Sequence, residues 1–265
     1  MCRTDLWTCP QCGVAQVQPQ PGGLCRNCRE TLARADHCFV APVRCHHAAG
    51  TCRDESFAAQ VCMQPHVVYL AVTSGPKVGI TRAGREWRRW LDQGASRALR
   101  IMRAPTRRAA GWAEAALARH LNDRTDWRKM LFGTIAEYDL LALAQQLRRD
   151  GLAEMPHDPA RIPTRETRDV VWDVDDSVTR IAYPTVKNAS AGTPGLLNAE
   201  SLARIPARRL RLQDEPRVNG TLLGVRGGYL LLSGGVFHVD EHRGYEIELI
   251  SPVDVENRDA QMSLF

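Results

Sequence analysis

Eight of the nine cysteines fall into two sets of four whose spacing suits metal chemistry. Cys9 and Cys12, then Cys25 and Cys28, form two C-x-x-C knuckles with twelve residues between them, which lets four thiolates close tetrahedrally round zinc. A closed four-thiolate site leaves no open coordination position, so it holds shape and does not catalyse. Cys38, Cys45, Cys52 and Cys62 follow, enough for a second four-thiolate zinc, with His46, His47 and His66 as competing ligands. Cys62 and His66 stand at ligand spacing, and zinc there would pin the amino-terminal module onto the next strand. The alternative is that some of the second set are small buried thiols.

A different group of side chains suits phosphate chemistry. Between Lys77 and Lys129, fourteen Lys or Arg stand against five Asp or Glu, a local net charge of +9 in a chain of +5. Such segregation points to a polyanion-facing surface, nucleic acid first, unless the arginines merely solvate the surface. The elements that must carry these charges are legible. Val67 to Val72 and Lys77 to Thr81 are short apolar runs joined by Thr73-Ser74-Gly75-Pro76, which predicts a hairpin. Trp87, Trp90 and Leu91 give a helical stripe that leaves Arg85, Arg88, Arg89 and Asp92 on other faces, and Gly94 ends that helix. Ala98 to Met102 reads as a third strand. Thr106 then caps a helix through His120 whose one acidic residue is Glu114.

Tyr69 in Val67-Val68-Tyr69, Lys77-Val78-Gly79, Arg89 and Glu114 in this order resemble the core of the GIY-YIG endonuclease superfamily, over the middle third of the chain. Most of the chain is also similar to a bacterial family of unknown function with an amino-terminal cysteine cluster. The shared blocks are His-x-Val-Tyr-Leu-Ala, Lys-Val-Gly-Ile-Thr, Arg-Trp-x-Asp-Gln-Gly-Ala and Asp-Arg-Thr-x-Trp. The superfamily resemblance implies phosphodiester hydrolysis. Tyr69 would be the base, Arg89 (with Arg88 as rival) the phosphate contact, and Glu114 the holder of one Mg²⁺ or Mn²⁺ that keeps most of its waters. A phenol needs nearby cations, such as Lys77 and Arg89, to depress its pKa before it serves as a base. Lys77 replaces the second motif's tyrosine and Val67 the first motif's glycine. The residues also admit plainer roles: Tyr69 a half-buried strand aromatic, Arg89 a solvated charge, Glu114 a partner for Arg107 or Arg108.

Around this core, Gln93, Arg124, Trp127 and Arg128 are candidate nucleic-acid contacts, with Trp127 stacking on a base or serving as core. His120 is a candidate proton shuttle or a helix cap. Tyr138, Leu140, Leu141, Leu143, Ala144 and Leu147 predict an amphipathic helix over residues 135–152, and the prolines from Pro156 to Pro163 a linker. Short β-like runs from Val170 to Ile250 predict a small antiparallel barrel or sandwich. The expected class is α+β: a zinc module at 1–65, a GIY-YIG-like α/β domain at 66–157, an all-β domain at 158–250 and a polar tail at 251–265.

That tail ends Gln261-Met262-Ser263-Leu264-Phe265, which resembles the peptide by which bacterial polymerases and repair proteins dock on the replication sliding clamp. Gln261, Met262, Leu264 and Phe265 would make the contact, unless they are a chance apolar terminus. No apolar run of about 18 residues occurs and Met1 to Thr4 opens no signal peptide, so no membrane association and a cytoplasmic, nucleoid-associated location are expected. The combined expectation is a zinc-containing, metal-dependent DNA endonuclease brought to DNA by the clamp. The alternatives are a DNA-binding adaptor that does not cut and, third, a repurposed scaffold with Cys2 or Cys38 as a reactive thiol.

Overall fold

The computed structural model describes residues 1–18, 20–121, 125–150, 169–175, 177–184, 197 and 199–250. The fold is mixed α+β with several sheets. Its centre is a sheet in the order β4-β3-β5-β6, from β3 (His66–Val72), β4 (Pro76–Arg82), β5 (Arg97–Ala104) and β6 (Val171–Trp172), with β7 (Thr179–Arg180) also pairing β5. All seven residues of β3 are buried, because both faces of the sheet are covered. Val68, Leu70 and Val72 pack against α5 (Arg107–Leu117) and α7 (Leu140–Asp150). Val67, Tyr69 and Ala71 pack against Trp90 of α4 (Glu86–Asp92), Ala95, Ala98, Ile181 and Tyr183. A strand covered on both sides reads as a continuous apolar run, which is what residues 66–72 show.

Local signals explain the ends of the helices. The Thr106 hydroxyl accepts from the Ala109 N–H at 3.2 Å and caps α5. Gly94 follows α4 at φ +73°, and the Gly94 and Ala95 N–H groups return to Leu91 and Trp90 carbonyls. Trp87 departs from the expected stripe, being 52% exposed while Trp90 is buried. Helix α7 starts at Leu140, later than the amphipathic pattern suggests, and residues 151–168, where the linker falls, lie outside the described residues.

The runs read as the first two strands of a carboxy-terminal barrel belong elsewhere. β6 and β7 pair with β5 and extend the central sheet. The next three runs, with β8, form a four-stranded sheet, β8-β11-β10-β9, from β8 (Arg209–Leu210), β9 (Leu222–Arg226), β10 (Tyr229–Leu232) and β11 (Gly235–His238), with β8 parallel to β11, and the last run pairs with the amino-terminal strand. Early and late described strands pair: β1 (Cys2–Thr8) lies between β2 (Ala15–Gln16) and β12 (Tyr245–Glu248). Short helix α6 (Trp127–Phe132) joins the central and carboxy-terminal parts by burying Met130 and Leu131 against Tyr229, Leu231 and Val236. The amino-terminal cysteine-rich region adds α1 (Arg26–Thr31), α2 (His37–Val40) and α3 (Glu55–Phe57), which runs on as a π-helical stretch to Cys62.

Candidate functional site

The antiparallel register sets Tyr69 opposite Gly79, so the ring lies across the glycine's backbone. A Cβ at Gly79 would stand 2.6 Å from the Tyr69 hydroxyl and 2.7 Å from its ring. One physical cause therefore explains a glycine in the middle of β4: only Gly leaves room for the ring. A β-bulge in β5, opposite Val68 and Tyr69, adds local twist beside the same residue. The Tyr69 hydroxyl donates to Gln93 Oε1 at 2.7 Å, with Arg89 approaching the same group. Glu114, on α5, is near enough for its charge to act on Tyr69 and to be acted on by Arg107, Arg89 and Lys77.

The electrostatics of this cluster are set by burial. Tyr69 is fully buried, and burial pushes its phenol up to about 12 although Arg89 and Gln93 pull the other way. The sequence-based expectation that neighbouring cations depress this phenol is thus reversed, because desolvation of a phenolate outweighs one guanidinium. Burial likewise raises the Glu114 carboxyl against the pull of Arg107, Arg89 and Lys77. Gln93, expected at nucleic acid, accepts the hydrogen bond of the Tyr69 hydroxyl.

Beside the cluster opens a cleft of about 730 Å³. Arg88 and Arg89 line it, as do Arg34, Arg82, Arg85 and Arg107, with Asp92 as the acid among them. Arg88 and Asp92 form a loose exposed pair at 3.9 Å. Arg82 and Arg85 adjoin Arg88 and Arg89 in the sequence, whereas Arg34 and Arg107 come from separate segments that only the fold brings beside them. Phe39, Phe57 and Val61, with Arg34, bring the cysteine-rich region into the lining.

Other expected residues lie apart from this cleft. Lys77 and His120 line a second pocket of about 450 Å³ beside the hairpin turn, with Ser74 and Lys129. Trp127 is half-buried, stacked on Tyr229 at 6.2 Å between centroids, with the Arg128 guanidinium 4.5 Å from its ring and Arg209 on it at 5.1 Å. It is engaged at the junction with the carboxy-terminal sheet. Arg124 and the tail residues Gln261, Met262, Leu264 and Phe265 lie outside the described residues.

The first cysteine set converges as its spacing predicts. The ligand atoms of Cys9, Cys12, Cys25 and Cys28 lie within 4.8 Å of one another, so they could hold a metal ion such as zinc. The turn after Cys9 closes by a Gly13 N–H to Cys9 carbonyl bond, and Cys25 caps α1 by accepting from the Cys28 N–H. Burial acts to raise the Cys9 thiol, yet N–H groups of Cys25, Cys12 and Gln11 bring it down to about 6. Burial and its thiol neighbours push Cys28 up to about 12. Four crowded thiols do not all ionise without a cation, and a divalent ion supplies one.

The second set, Cys38, Cys45, Cys52 and Cys62, lines one small cavity with His46, His47, Asp36 and Arg53. Asp36, Cys38 and His46 are close enough together to share an ion. His66 is directed elsewhere: it faces the arginine cleft, its Nδ1 is 2.8 Å from the Gln64 carbonyl, and burial lowers it to about 4. Cys2 sits in β1, half-buried. Among the described residues no helix is long and apolar enough to cross a membrane.

Neither the curated proteins nor the solved structures give a match to this chain. A family model does, over residues 2–247, and the chain belongs to that family, described as "Protein of unknown function (DUF2797)".

Proposed function

We propose that this protein is a divalent-metal-dependent endonuclease acting on DNA, with structural zinc at Cys9, Cys12, Cys25 and Cys28. The observation that carries the reading is the electrostatic coupling of Tyr69, Arg89 and Glu114 where Arg89 enters a cleft lined by six arginines. Arginines at such density suit a phosphate backbone, which fixes position and gives affinity without reading sequence. Glu114 would hold one Mg²⁺ or Mn²⁺, and the ion would stabilise charge on the leaving oxygen. Arg89, exposed and within reach of the cluster, would neutralise the attacked phosphate. Tyr69, pinned by Gln93, would orient the site and yield a proton acceptor only if a bound metal cation shifts its pKa down from about 12. The terminal Gln261 to Phe265 peptide would bring the nuclease to the sliding clamp, and deleting it would remove clamp binding without changing cleavage.

The test is metal-dependent cleavage of linear, nicked, flapped and branched DNA by the zinc-loaded chain and by Glu114→Gln. Cutting that needs Mg²⁺ or Mn²⁺ and disappears in the variant is the expected result. Equal cutting by both proteins would refute the assignment.

A second reading is favoured by the buried, protonated Tyr69 and by Lys77 standing where the superfamily has tyrosine: a DNA-binding adaptor that does not cut. Tight binding to the same panel with no cutting at any metal concentration selects it.

A further inference from the structure

We infer that Cys38, Cys45, Cys52 and Cys62 form a second thiolate metal centre, and that this centre shapes one wall of the arginine cleft. DNA affinity then depends on an ion that never touches DNA, an inference that rests on the nucleic-acid reading above for its second half only.

The four thiols come from four separate places: α2, the turn after Pro42, the loop before α3 and the end of the π-helical stretch. All line one cavity of about 20 Å³, room for an ion. The ligand atoms already within 4.8 Å of one another there are those of Asp36, Cys38 and His46, so the ion draws Cys45, Cys52 and Cys62 in toward Cys38. The segment has almost no core of its own: from Ala33 to Cys62 the buried side chains are those of Asp36, Pro42 and Ala58. Short, strandless segments with so little burial are commonly held by a metal or by disulfides, and all four cysteines are free thiols. Asp36 is already committed. It pairs with Arg53 Nε at 2.7 Å, accepts from the Cys38 N–H at 3.1 Å and stands 3.4 Å from His46 Nε2, so it orients the loop round the thiols. Zinc is the ion that fits four thiolates.

The centre reaches the cleft through its neighbours in the chain. Phe39 follows Cys38, its ring tilted on Phe57 at 5.8 Å, and both rings line the cleft. The Arg107 guanidinium lies 4.3 Å over Phe39 while its Nη2 donates to the Phe39 carbonyl at 2.6 Å. Val61, which also lines the cleft, precedes Cys62. Pro42 seats the region on α5 at Gly111, where an added Cβ would be 2.5 Å from the proline ring. Loss of the ion would free Phe39 and with it Arg107.

The experiment measures zinc per full-length chain, the cobalt spectrum of each equivalent, and anisotropy with labelled duplex DNA. The wild type should hold two ions, both equivalents giving thiolate-to-cobalt charge transfer. Cys52→Ser should hold one and bind DNA at least tenfold more weakly. Phe39→Ala, which keeps every thiol, should hold two ions and lose about fivefold in affinity, which separates the coupling from simple misfolding. One ion in the wild type, or a second equivalent without charge transfer, overturns the centre. Unchanged affinity in both variants overturns the coupling. Two ions with no DNA binding by any form refutes the nucleic-acid reading and the coupling with it, leaving the metal count standing.

Discussion

Replacing Gly79 by alanine tests the packing that builds the site. The new methyl would sit 2.6 Å from the Tyr69 hydroxyl and 2.7 Å from Cζ, distances real Cβ atoms do not tolerate. Tyr69 has no room to yield, being fully buried on β3 with Trp90 edge-on at 6.0 Å between centroids. Overpacking a filled core costs about 1–3 kcal/mol. Moving the ring also breaks the 2.7 Å bond to Gln93, a loss of about 1 kcal/mol. The expected destabilisation is roughly 2–4 kcal/mol, read as a lower urea midpoint at unchanged slope with zinc present. In a Tyr69→Phe background the hydroxyl clash and the lost bond are already gone, while the contact to Cζ remains. The same alanine should therefore cost about 1 kcal/mol less there, a coupling that a double-mutant cycle resolves. A Gly79→Ala protein within about 0.5 kcal/mol of wild type would refute the argument that the glycine exists to admit the ring, as would equal costs in both backgrounds.

Three further outcomes follow from the same geometry. Arg88→Ala with Arg89→Ala should weaken duplex binding at every sequence and reduce the slope of log affinity against log salt by about 2; an unchanged slope removes these arginines from the interface. Chelating the metal should unfold the amino-terminal region and expose the segment from Cys9 to Cys28 to protease, because metal binding there is coupled to folding, whereas unaltered protection would contradict a structural metal. His66 bears on acid stability. Burial lowers it to about 4 in the folded chain against 6.5 unfolded, so its contribution is complete above 6.5 and is lost as pH falls toward 4. Thermal melts of His66→Asn should be less steep in that window, and parallel wild-type and variant curves would exclude the effect.

The hairpin, the cap at Thr106, the turn at Gly94 and the first cysteine set were legible in the sequence because each rests on contacts within about twenty residues. Turn chemistry, capping and C-x-x-C spacing are local, and local physics does not need to know the fold. The pairing of β6 and β7 was not legible. Two short strands after a proline-rich stretch look like the start of a new sheet, and only the exposed edge of β5 decides where they go.

The same division runs through the site. The sequence by itself determined that a tyrosine, a lysine, an arginine and a glutamate stand in one order on a hairpin and two helices, amid concentrated positive charge. Tertiary structure decided what those groups are chemically. Covering both faces of β3 strips water from Tyr69 and raises its phenol where charge counting predicted the reverse. Folding gathers Arg34 and Arg107 from distant segments beside Arg82, Arg85, Arg88 and Arg89, and sets Phe39 of α2 in the same lining. Residue type fixes what a side chain can do, whereas its desolvation and its neighbours, which come from the whole chain, fix what it does.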